Sequence, residues 1–62
     1  MKTAEEIIIM LEIELGETYE MYDEAKGKDA SQAFALLIKA STIEQILDEI
    51  KNSWINSQLS VN

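Results

Sequence analysis

Two apolar seams, separated by a break of only Gly27, Lys28 and Asp29, constrain the fold of this 62-residue chain more than any other feature. In the first segment Ile8, Leu11, Leu15, Thr18, Tyr22 and Ala25 recur at alternating steps of three and four. That spacing is one face of a helix in its narrow, coiled-coil-like form, with a polar interruption at Thr18. In the second segment Ala33, Leu36, Ala40, Ile43, Leu47, Ile50 and Trp54 repeat in the same way. Helices joined by so short a connection fold back as antiparallel neighbours. The expected fold is therefore all-α: an antiparallel helical hairpin with helices over about 4–26 and 30–55, forming a single small domain. After Ile55 the chain turns polar (NSQLSVN), which predicts a frayed tail over about 57–62.

The ends of both segments carry helix signals. Thr3-Ala4-Glu5-Glu6 fits a capping box, in which Thr3 accepts from the Glu6 N–H while Glu6 reaches back, and both acids suit a positive helix end. Asp29-Ala30-Ser31-Gln32 predicts a second box, with Gln32 as the reciprocal partner. Between them, Lys26-Gly27 reads as a stop: a cation in the last turn, then a residue suited to a left-handed cap. Two features argue the other way. LEIEL, residues 11–15, alternates at period two as a strand would, but no other segment alternates convincingly enough to pair with it. Gly16 weakens a helix interior by about 1 kcal/mol, and either splits the first helix or lets another helix approach closely.

Composition narrows the possibilities further. A chain this short buries only about 60% of its unfolded surface, so something must supplement its core. Cysteine and histidine are both absent. That excludes disulfides and thiolate sites, and removes the commonest metal ligand and near-neutral acid–base catalyst. Oligomerisation remains. Proline is also absent and glycine occurs twice, as befits a helical chain. The net charge of −7 lies entirely in residues 1–25, where eight acids face Lys2 alone; residues 26–62 balance four acids against four lysines. This disfavours direct binding to nucleic acid or an anionic membrane. No secretory signal and no run long enough to span a membrane is present, and Met1 reads as a true start. The expectation is a soluble, cytoplasmic protein.

The unbroken apolar row Ile7 to Leu11 exceeds what one seam can hold, because successive helical side chains step round the axis by about 100°. Ile9 and Ile13, with Gly16 next in line, lie away from the first seam, and Phe34, Leu37 and Ile38 lie away from the second. These six residues are the expected dimer interface. In an antiparallel two-fold dimer, the terminal end of one hairpin meets the loop end of the other, closing a four-helix bundle. Exposure of the same patches to a different protein is the competing expectation. In size and topology the chain resembles the small plasmid-copy-control RNA-binding hairpin dimers. Their function implies a basic stripe, which this sequence lacks, so RNA binding is not carried over.

No residue pattern declares a chemistry. Without histidine or cysteine no nucleophile has an obvious base, and no enzyme activity, cofactor or metal is expected. Glu17, Glu20 and Glu24 share one helix face without the Glu-x-x-His of a bundle di-iron site, and DEAKGKD lacks the alternating oxygen ligands of a calcium loop. Tyr19 and Tyr22 read as core-edge aromatics with hydroxyls reaching water. Glu12, Glu17, Glu20, Asp23 and Glu24 form the most distinctive surface, a negative ridge on the first helix. Together with Trp54, they are the expected partner-binding residues. The expected function is a small acidic protein–protein interaction module, an adaptor or inhibitor such as a bacterial or phage regulator, acting as a homodimer on an unknown protein target. Two alternatives are a nucleic-acid mimic that inhibits a DNA- or RNA-binding protein, and a structural subunit of a larger assembly.

Overall fold

The computed structural model describes residues 3–59, with side chains as far as Asn56. Helix α1 spans Ala4–Ala25 and helix α2 spans Ala30–Leu59, and the two pack as a hairpin. Thr3 caps α1 as its sequence implies. Its hydroxyl accepts from the Glu6 N–H at 3.2 Å, and Glu6 Oε1 accepts from the Thr3 N–H at 3.2 Å. Gly16 neither breaks nor bends α1 out of helical geometry, and the first helix is continuous through it.

The connection differs in detail from its sequence signals. Lys26 is the C-cap, with right-handed φ and ψ of −60° and −24°, and no glycine has a positive φ. Instead of a left-handed cap, the Ala25 carbonyl accepts from both Lys28 and Asp29 N–H groups, at 2.9 and 2.8 Å. That double acceptance also halves the second capping box. Asp29 Oδ1 accepts from the Gln32 N–H at 3.2 Å, but the Asp29 N–H that Gln32 was to satisfy is already held by Ala25. Helix α2 continues to Leu59, four residues past the expected boundary near 55, since Asn56-Ser57-Gln58-Leu59 contains no glycine or proline to stop it. Residues 60–62 of the expected tail lie outside the described residues.

Both seams face each other as their spacing requires. Thr18, Ala25, Ala33, Leu36, Ala40, Ile43 and Leu47 are buried, while Ile8, Leu11, Leu15, Tyr22 and Ile50 are half-buried. Ala25, Ala33, Leu36 and Tyr22 pack together at the loop end. The antiparallel register set there brings Thr18 level with Ala40, each 1% exposed, and Ala4 level with Trp54 at the open end. Ala4 and Trp54 indeed line one cleft. The polar interruption is resolved locally: Thr18 Oγ1 donates to the Glu14 carbonyl at 2.8 Å, so its burial leaves no unmet donor.

Candidate functional site

With seam positions written a and d of a heptad, an antiparallel pair brings e positions together along one flank and g positions along the other. The side-chain ties obey this assignment. On the e flank Lys51 Nζ donates to Glu12 Oε2 at 3.0 Å, and Tyr19 Oη donates to Glu44 Oε1 at 2.9 Å. On the g flank Lys39 Nζ lies 3.3 Å from Glu14 Oε1. One heptad either side of that ion pair, the same register places Ile7 beside Ile46 and Met21 beside Gln32; the latter two share a cleft. The flanks are therefore unlike. The e flank carries Glu5, Glu12, Lys26, Glu44 and Lys51, whereas at the g positions of the two helices the charges among the described residues are Glu14 and Lys39, which meet each other.

Every residue expected at the dimer interface is exposed: Ile9, Ile13, Gly16, Phe34, Leu37 and Ile38. Phe34 at 65% and Ile13 at 58% are the most exposed large apolar side chains described. Ile13 and Ile38 stand at f, on the outer back of each helix, while Ile9, Gly16 and Phe34 stand at b, between the back and the e flank. Leu37 stands at e, and the structure does not gather the six into one patch, since the register sets Ile9 and Ile13 toward the open end and Phe34, Leu37 and Ile38 near the loop. Open space surrounds Gly16, with nothing within 4 Å of where a Cβ would sit.

The acidic ridge divides. Glu12 turns inward to Lys51, and Asp23 pairs with Lys26 at 3.4 Å. Glu20 stands on the back of the loop half of α1 and Glu17 and Glu24 at c, between the back and the g flank, all three exposed and with no ion-pair partner among the described residues. No group of three carboxylates is placed to hold a metal ion among the described residues. The titration of Tyr19 is displaced. Its hydrogen bond to the Glu44 carboxylate pushes the phenol above its ordinary value of 10.0, with desolvation and the Glu44 charge adding smaller pushes in the same direction.

Trp54 closes the second seam without being buried, and forms one wall of an open cleft of about 450 Å³ with Ala4, Glu49, Ile50 and Ser53. Beside this cleft the g flank exposes Ile7, Ile46 and, one step outward at c, Met10. Ile7 and Met10 belong to the apolar row whose excess the sequence shows, but neither they nor Ile46 were assigned to an interface from it. Their signal was present in the seam phase, which fixes g, but it becomes meaningful only once the register between the helices is known. No helix among the described residues is long and apolar enough to cross a membrane.

Compared with known protein families, curated proteins and solved structures, the chain matches none.

Proposed function

We propose that this chain is a protein–protein interaction module, an adaptor or inhibitor that works through helix contacts and acts as a homodimeric four-helix bundle. One observation carries this reading. The hairpin spends its two seams on each other and still leaves Ile7, Ile9, Met10, Ile13, Phe34, Leu37, Ile38 and Ile46 exposed to water. Shape supports it. The Cα radius of gyration is 14.8 Å, against about 10.6 Å for a compact 62-residue domain and about 13.7 Å for one twice as long. A second layer of helices is what the molecule lacks. In the dimer, the acidic back of α1 and the Trp54 cleft are the surfaces offered to a protein target.

Absolute mass by light scattering, over a hundredfold range of concentration, tests the self-association. A species at twice the 7.0 kDa chain mass is expected. A helical species that stays at 7.0 kDa throughout removes the dimer and makes the exposed apolar residues the target site instead. A second reading rests on Glu17, Glu20 and Glu24, whose unpaired charge suits a basic, nucleic-acid-binding groove on another protein. Salt distinguishes the two modes of target binding: a charge-driven complex weakens steeply as salt rises, and an apolar one hardly changes.

A further inference from the structure

We infer that the second copy seats on the g flank, about a two-fold axis parallel to the helices, so that both loops lie at the same end of the bundle. This rests on the dimer proposed above and names the face and arrangement that build it. The rod has surface to spare: the chain exposes 4895 Å², whereas a compact protein of 7.0 kDa exposes about 4,000 Å².

Choice of flank follows from charge. Burying the e flank would desolvate Glu12, Lys51 and Glu44 together with Glu5 and Lys26, with Leu37 and Tyr19 the large apolar side chains at e to set against them. The g flank instead presents the Ala4–Ile50–Trp54 cleft, then the Ile7 and Ile46 pair at 38% and 40% exposure, then a single ion pair, then Met21. Its g positions hold apolar residues about one matched ion pair, and the further charges, Glu49 and Glu24, stand at the rims of its two clefts.

Orientation follows from the ion pair. With the axis parallel to the helices, α1 of one copy lies over α2 of its partner and like levels meet. Glu14 then faces the partner's Lys39 as well as its own, giving four alternating charges, and the Ile7 and Ile46 pairs of both copies form one apolar layer. Each helix is antiparallel to both neighbours, which also suits their dipoles. The reverse arrangement, terminal end against loop end, stacks α1 on the partner's α1. It sets Glu14 of one copy near Glu14 of the other and opposes the Ile7 layer to Met21 and Gln32. Under the inferred arrangement Ile9, Ile13, Phe34 and Ile38 stay on the outer surface.

The chain has no cysteine, so single-cysteine variants report contacts without background. Ile7→Cys and Ile46→Cys proteins, helical by circular dichroism, are mixed and oxidised, and only a bond between copies joins the two kinds. A mixed disulfide forming several-fold faster than in the Ile7→Cys with Met21→Cys mixture, or the Ile9→Cys with Phe34→Cys mixture, is the expected result. Preference for Ile7 with Met21 overturns the orientation, and preference for Ile9 with Phe34 overturns the face. A dimer by light scattering that cross-links in none of the three mixtures also overturns the face while leaving the dimer standing. A wild-type monomer at every concentration defeats the underlying dimer itself.

Discussion

Thr18 is the residue at which sequence and packing pull hardest against each other. It occupies a d position at mid-hairpin, is 1% exposed, and meets its donor requirement by bonding to the Glu14 carbonyl, which helical geometry already supplies with a donor. The hydroxyl therefore contributes little that an apolar atom would not. Thr18→Val is expected to raise stability by about 0.5–1 kcal/mol, read as a higher urea midpoint at unchanged slope. A lower midpoint would mean that the hydroxyl holds the seam in register. Opposite it, Ala40 is equally buried, so the waist of the hairpin has room for small side chains only. Tyr19 makes the second residue-scale prediction. Because Glu44 raises its folded-state value, the bond's contribution is fully present below the phenol's ordinary value of 10.0 and is lost as pH rises through the raised one. Phenolate absorbance should show Tyr19 titrating above its ordinary value, and Glu44→Gln should bring that titration to lower pH. An unchanged titration curve in Glu44→Gln would mean that the bond is not formed in solution.

At the scale of elements, the two seams were legible because a helix of fixed pitch has only one way to place residues three and four apart on one side. Each seam residue from Ile8 to Ile50 is at least half-buried in the structure, with only Trp54 more open. The connection was less legible. Whether Gly27 turns left-handed depends on which donors reach the Ala25 carbonyl, and that is settled by how α2 departs rather than by the glycine. The contrast between the two flanks was least legible of all. Helix phase alone separates Ile9 and Ile13 from the seam, but deciding which flank is apolar requires knowing that Glu12 reaches Lys51 and Glu14 reaches Lys39. Gly16 tests the outcome directly. It sits inside an unbroken helix, with open space around it and off the g flank. Gly16→Ala is therefore expected to stabilise the protein by about 1 kcal/mol without changing its association. Loss of the dimer in that variant, measured by light scattering, would place a helix of the partner against Gly16.

Taken whole, the molecule is a rod of 53 × 18 × 15 Å whose charge is concentrated on one of its two helices. Each copy carries −7, so bringing two together sets a long-range repulsion against a short-range apolar contact. The two respond oppositely to salt. The screening length falls from about 30 Å at 0.01 M to about 8 Å at 0.15 M, from more than the width of the rod to less than it. Repulsion between whole copies is then largely screened, while burial of Ile7, Met21 and Ile46 in the proposed dimer is unaffected. In that proposed arrangement, alternation of Glu14 and Lys39 across the axis supplies only a local attraction, too short in range to reverse the trend. Self-association is thus expected to tighten by about tenfold or more over that range, measured as the dissociation constant from sedimentation equilibrium. Any target held by Glu17, Glu20 and Glu24 moves the other way, weakening as salt rises. The opposite slopes make salt a means of assigning surfaces. A dimer that instead loosens with salt would be held by charge pairs between copies, and the apolar g flank would then be free for the target.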